Sequence, residues 1–362
     1  MSNTFAVNDA NAVKLWSRGV QVAVREKAEV GRLMGKDDTA IIQVKTDLTK
    51  GKGDNIKFNL RGVLNGDGFT EGQRATGNGE QMSFYQDQVT VNELGHVANP
   101  TSEFTIDAQR VPFEPRDEGR GALSEWWANR ISVTALNHFC GFVPANSAPF
   151  GTKYTGNNTV TVPSSSKRQV WATSSVTTDQ GLGSSDKANL NMIDRAQTQA
   201  RLGDNMVRPA KIGGSDKWVI YLHPQQAEDI MTNTSTGQWF SIQQAAMTGG
   251  MITKNGIYTG ALGEYKNAVM RVTQHVTQGV NSGTGVAVAT TRRAVMLGAQ
   301  AGALAYCKRG NPGNANFRWT ERYEDHDRFF EMGAWSIWGL KKPVFALQED
   351  QGVVVMSSFS AI

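Results

Sequence analysis

Five histidines, two cysteines and one carboxylate-rich stretch are the residues of this 362-residue chain whose types could do chemistry. His96, His138, His223, His275 and His326 are scattered, and no two stand at metal-ligand spacing. His223 ends an apolar run and precedes Pro224, a position where active sites of open α/β sheets gather. No acid or nucleophile lies close to it in sequence. The plainer expectation is that it caps the following helix or bonds a nearby carbonyl. The stretch "ERYEDHDRFFE" (321–331) carries Glu321, Glu324, Asp325, Asp327 and Glu331, and clustered carboxylates can bind a divalent cation. Arg322 and Arg328 are interleaved and the spacing of a calcium loop is lacking, so an ion-pair stripe facing solvent or another subunit is the better expectation. Cys140 and Cys307 show no CxxC spacing and read as reduced structural thiols of a protein made in a reducing cytosol. "GALG" (260–263) reads as a turn rather than a phosphate cradle. No HExxH, P-loop or GxSxG motif occurs. The expectation is therefore no catalytic residue, no cofactor and no metal.

The bulk numbers narrow the class further. Hydrophobic residues make up 39% and charged residues 19%, which is ordinary globular material. The net charge of +4, from 37 basic and 33 acidic side chains, is too even for a dedicated nucleic-acid binder, though it permits casual contact with a polyanion. Thirty-eight glycines point to many turns. No basic-then-apolar segment opens the chain, so export by a signal peptide is not expected, and no apolar run is long enough to span a bilayer.

The elements are legible from periodicity. Residues 9–34 predict a helix, with Val13, Trp16, Val20 and Val24 near helical spacing; it could be an arm lying on something else or could pack on its own core. Residues 50–96 predict a two-stranded ribbon. Ile56, Phe58 and Leu60 share one face, opposite Lys57, Asn59 and Arg61, and the tip "NGDGFTEGQRATGNGE" has turn chemistry throughout. A lone ribbon has one apolar face and nothing to bury it against, so it needs cover from elsewhere. "SEFTIDA" (102–108) predicts a further strand. Pro115, Asp117 and Glu118 start a long helix that Gly141 ends. Leu123, Trp126, Trp127, Ile131, Val133, Leu136 and Phe139 spread round much of its circumference, so it should be packed on more than one side. Loops and short edge strands follow to 216, broken by a helix over 189–203. "DKWVIYLHPQQAEDIM" (216–231) predicts a strand buried on both faces and then a helix. A helix around 240–247, a turn and strand after 257, and buried strands from 294 complete the chain.

Segments "GDNIKFNLRGVLNGDG" (53–68), "QRVPFEPRDEGRGALSEWWANR" (109–130), "WVIYLHPQQAEDI" (218–230), "WFSIQQAAM" (239–247), "IYTGALGEYKNAVM" (257–270) and "AVMLGAQAGALAY" (294–306) carry a resemblance. In that order they resemble the major capsid proteins of tailed bacteriophages, in the branch typified by the podovirus N-four, over about residues 45–350. The resemblance implies an α+β fold of the Hong Kong 97 capsid type, self-assembly into an icosahedral shell around double-stranded phage DNA, and no enzyme activity. It implies an N-terminal arm (1–48), an extended β-hairpin loop (49–100), a peripheral domain with its spine helix (101–145), an axial domain (146–293) and a return to the peripheral domain (294–362), with a plausible insertion at 155–187. The ribbon's cover would then be another copy of the chain. Ile56, Phe58, Leu60, Arg61, Trp126, Trp127, Glu324 and Arg328 are the expected subunit-interface residues. Gly51, Gly53, Gly66 and Gly68 would let the loop fit five-fold and six-fold surroundings.

The implied partners are further copies as pentamers and hexamers, separate scaffolding, portal and decoration proteins, and packaged DNA by weak non-specific contact, with no membrane. The implied location is the virion, after synthesis in the bacterial host cytoplasm. Some relatives of the fold cross-link loops through a lysine and an asparagine; Lys52 and Lys57 lie in the right region, without an identified acceptor or acid. Competing expectations are an encapsulin-like compartment of the same fold, a tail or adhesion protein, and a hydrolase using His223 with carboxylates of 321–331.

Overall fold

The computed structural model describes residues 10–46, 53–61, 64, 66–100, 105–144, 156–164, 166–202, 206–212, 214–235, 237–238, 263–307, 315–326, 328–344 and 349–360. Helix α1 (Ala10–Lys27) ends seven residues before the sequence pattern does; a 3-10 turn (Gly31–Leu33) and strand β1 (Met34–Gly35) follow. The chain doubles back there. A Cβ at Gly31 would stand 2.0 Å from the Arg25 carbonyl oxygen, so the turn needs glycine. The apolar stripe continues through Val30 and Leu33, which reach the same core from non-helical backbone. Val20 and Val24 are buried in that core, and α1 lies against its own chain.

After β2 (Ile42–Lys45), strands β3 (Asn55–Arg61) and β4 (Phe84–Thr90) pair antiparallel as the expected ribbon, with Ile56 opposite Val89 and Leu60 opposite Tyr85. Strand β5 (Asn92–Ala98) follows at once. Helix α2 (Ile106–Arg110) replaces the strand expected at 102–108, of which 102–104 lie outside the described residues. The alternation of Ile106 and Ala108 fits a strand only where a ladder meets its backbone groups, and among the described residues no strand pairs with this stretch. Helix α3 (Pro115–Cys140) starts at Pro115 and ends at Gly141, whose φ of 71° is the left-handed conformation that glycine adopts without strain. Twenty-six residues make it about 39 Å long. Every residue from Ile131 to Cys140 is buried, as a helix packed on several sides requires.

Strand β6 (Gln169–Trp171), helix α4 (Leu190–Arg201), strands β7 (Ala210–Ile212) and β8 (Ser215–Leu222) and helix α5 (Pro224–Thr232) come next. They are followed by β9 (Glu264–Tyr265), β10 (Ala268–Val272), β11 (Gln278–Val280), β12 (Ala287–Leu297), β13 (Gly302–Cys307), β14 (Arg318–Glu324), β15 (Phe329–Lys341) and β16 (Val353–Phe359). The helix expected around 240–247 and most of "GALG" lie outside the described residues.

Two sheets organise these strands. In the first, long β15 pairs with β5 along one edge and with β14 and then β13 along the other; β13 continues to β2 and β1. The second runs β6-β16-β12-β8-β10-β9, with β11 on β12 and β7 on β8. Two-sided burial of β8 is plain in its alternation. Val219 and Tyr221 enter the core shared with α3 and the first sheet, while Trp218, Ile220 and Leu222 enter the core under α4 and α5. The division expected at 293 runs through β12, and β16, from the expected return segment, also pairs within the second sheet. The Ser/Thr-rich stretch is tied in by Asp179, whose carboxylate takes bonds from Arg293 (2.7 Å), Gln169, Trp171 and the Val280 amide.

Candidate functional site

The ribbon splits into a root and a tip with opposite surroundings. At the root, Ile56 and Phe58 are 3% and 2% exposed, and with Val89 and Val91 they pack on Ala303, Ala305 and Cys307 of β13. Strand β13 alternates: Leu304 and Tyr306 point to the α3 side, and the small residues between them make a flat bed for the ribbon on the other face. The cover expected from a second copy is therefore supplied, for Ile56 and Phe58, by the chain itself. The root is also pinned electrostatically. Asp87 accepts from Lys341 Nζ (2.6 Å) and the Val344 amide (2.9 Å), and Lys45 Nζ donates to the Lys57 carbonyl (2.9 Å) while lying 4.8 Å from the Phe58 ring centre.

Beyond Leu60, which is half-buried, the tip carries apolar side chains in solvent: Leu64, Phe69, Met82 and Phe84 are each about half exposed or more. These residues were missing from the expected interface. Their signal in the sequence was large apolar side chains set among glycines and polar turn formers, where no core of their own could form. The Arg61 side chain lies outside the described ones; its backbone pairs with Phe84. Lys57 is exposed, and Lys52 lies outside the described residues.

The twin tryptophans also divide. Trp127 is fully buried, donates Nε1–H to the Ala334 carbonyl (3.2 Å) and packs edge-on to Phe317 and Trp338, so it is core and not interface. A helical position one residue away turns about 100°, which leaves Trp126 half-buried. There it is stacked 4.5 Å from the exposed His96 ring, with the Arg130 guanidinium 4.6 Å from its own ring. Glu324 and Arg328 stand exposed at the turn joining β14 to β15. Glu324 pairs with Arg322 at 3.0 Å, and Arg328 lies 5.9 Å from the Phe329 ring. Asp325 and His326 make that turn in left-handed conformations.

Among the described residues, His223 and the carboxylates of 321–331 do not converge. His223 Nδ1 accepts from the Gln225 amide (3.4 Å) and Gln226 Oε1 accepts from the His223 amide (3.1 Å), a reciprocal cap on α5. Burial, and then the nearby Arg292 charge, push the His223 imidazole down to about 4, so it is neutral near pH 7. Glu321 is held in the first sheet by Arg116 (2.7 Å) and Trp319 Nε1 (2.8 Å), whereas His223 follows β8 of the second sheet. Among the described residues, no three of His, Cys, Asp or Glu come together as a metal cluster. Cys140 and Cys307 are buried and are not joined in a disulfide.

The comparisons with known proteins agree with this geometry. No curated protein matches the chain. Among solved structures it is similar to the capsid of Ralstonia phage GP4, at 25% identity and a TM-score of 0.78, covering 100% of this chain and 99% of that one. It shares its fold with the capsid asymmetric unit of the cyanophage Pam1 (16% identity, TM-score 0.67, 92% and 93% covered). It does so also with the head of the Helicobacter pylori bacteriophage KHP40 (13% identity, TM-score 0.63, 91% of each covered). The phage capsid protein family matches residues 4–362. The chain belongs to the phage capsid protein family, and it is a structural protein of the shell, not an enzyme.

Proposed function

We propose that copies of this chain assemble as pentamers and hexamers into a closed icosahedral shell around double-stranded DNA, as the major capsid protein of a tailed bacteriophage. In this reading the fold is of the Hong Kong 97 type and the branch is that of the N-four-like podoviruses. Residues 1–48 are the arm, 49–100 the extended loop, α3 the spine of the peripheral domain, and 146–293 mainly the axial domain. Strands β12 and β16 go with the axial sheet in which they pair. Scaffolding, portal and decoration proteins act as separate partners, DNA is touched weakly, and the chain is made in the host cytoplasm before it enters the virion.

The observation that carries this reading is the split ribbon. Its root is satisfied within the chain, while Leu64, Phe69, Met82 and Phe84 at its tip are left in water. Burying such side chains on a neighbour is worth up to about 1.5–3 kcal/mol each. Contacts of that size suit a shell, where each subunit is held by several at once and their effects multiply. Trp126, Glu324 and Arg328 remain exposed enough to join such contacts.

Deleting residues 62–82 tests the reading. The expected product is a folded subunit or small capsomer, seen by negative-stain microscopy beside closed shells of the full chain. Normal shells from the deleted chain would refute the role given to the tip.

A further inference from the structure

A side chain outside the ribbon bonds its backbone where it leaves the body. Thr90 ends β4, and among the described residues no strand pairs with its outward backbone edge. Asn158 fills that place: its Oδ1 accepts from the Thr90 amide (3.0 Å) and its Nδ2 donates to the Thr90 carbonyl (2.8 Å). A reversed amide would satisfy neither group, so the hydrogen bonds themselves fix which atom is which. Asn158 is buried, in the Ser/Thr-rich segment that looked like an insertion.

The loop carrying Asn158 is itself anchored. Lys342 Nζ donates to the carbonyls of Thr161 (3.2 Å) and Val162 (3.4 Å) and to Asp350 Oδ2 (2.8 Å). Ser164 and Asp350 exchange backbone-to-side-chain bonds, at 2.7 Å and 3.3 Å. Lys342 and Asp350 are both essentially inaccessible to solvent. A buried ion pair is poor evidence for stability in itself. Here it has a mechanical result, because the ammonium gathers two carbonyls of the loop that presents Asn158. Beside this pair, Gly339 of β15 lets Thr90 come close: a Cβ there would stand 2.2 Å from the Thr90 oxygen and 3.2 Å from Asn158 Nδ2. Hydrogen bonds from the body reach the ribbon at Lys57, Asp87, Gln88 and Thr90, whereas Gly66–Glu80 and Asn78–Arg74 are bonds within the tip.

We propose that Asn158 is a positioning residue, a latch that sets the launch angle of the ribbon, and that the tip pivots beyond Asp87 and not about the glycines at the ribbon's base. The latch is a property of the single subunit. Only its consequence for assembly rests on the shell reading above: a held launch angle lets every copy present its tip alike.

Asn158→Ala and Asn158→Asp test it in the purified subunit by amide hydrogen exchange. The aspartate keeps size and acceptor but loses the donor to Thr90, which guards against loss of fold in the alanine variant. Both should speed exchange in residues 84–91 roughly tenfold or more, with exchange in β8 and β12 and the melting midpoint left close to wild type. Gly339→Ala should loosen the same residues by crowding the Thr90 carbonyl and the Asn158 amide together. In assembly, the variants should give mixed sizes or open sheets where the wild type closes uniform shells. Exchange in residues 84–91 unchanged in both Asn158 variants would overturn the latch, even with normal wild-type shells. Loosened ribbons in a protein whose wild type never forms shells would sustain the latch and refute the shell reading.

Discussion

His223 shows how a residue with catalytic looks is spent on structure. Its ring nitrogen and the Gln226 side chain meet the backbone groups that α5 leaves open, and burial keeps the imidazole neutral. Its pKa is 6.5 when free and about 4 when folded, so between those values the unfolded chain binds a proton that the folded chain does not. Stability then rises with pH across that window. The contribution of His223 is whole above about pH 6.5 and is lost as pH falls through about 4. Replacing it in His223→Asn, which keeps a capping acceptor, should flatten the dependence of the urea midpoint between those two pH values. An equal acid slope in both proteins would count against the neutral cap. The cap was legible from His223 preceding Pro224; the Arg292 charge, sixty-nine positions on, was not.

The ribbon belongs to the scale of elements, and its two halves should answer mutation differently. Phe58 is buried on β13, so Phe58→Ala should cost the subunit itself about 3–5 kcal/mol in chemical denaturation. Phe84 is 62% exposed, so Phe84→Ala should leave subunit stability within about 0.5 kcal/mol and instead weaken assembly, read by light scattering. Similar losses of stability from the two would erase the distinction between root and tip. Alternation of Ile56, Phe58 and Leu60 revealed the strand and its apolar face. It could not say which surface covers that face, because a period of two carries direction but no address. For α3 the sequence was more generous. Pro115 and Gly141 mark its ends through local backbone preferences, and its wide apolar girth announced deep burial. What it could not separate was Trp126 from Trp127, which point about 100° apart on the helix and so meet different surroundings.

At the scale of the whole molecule, the subunit closes two cores of its own, one on each face of the second sheet, and adds the ribbon root as a third cluster. It should therefore fold before it assembles. The purified chain, kept below the concentration at which particles form, should unfold cooperatively with a melting midpoint independent of concentration. A midpoint that climbs with dilute protein concentration would show that folding waits for a partner. The sequence by itself determined the parts and their kinds: the ribbon, the long helix, and the doubly buried strand leading to a capped helix. Each of these depends on neighbours a few residues away, through periodicity, caps and turn chemistry. Only the tertiary structure decided which sheet takes β12 and β16, that Ile56 and Phe58 lie on β13, and that Asn158 reaches Thr90. Those outcomes depend on residues 56 to about 250 positions apart, and no local preference encodes a contact between surfaces that are equally apolar wherever they meet.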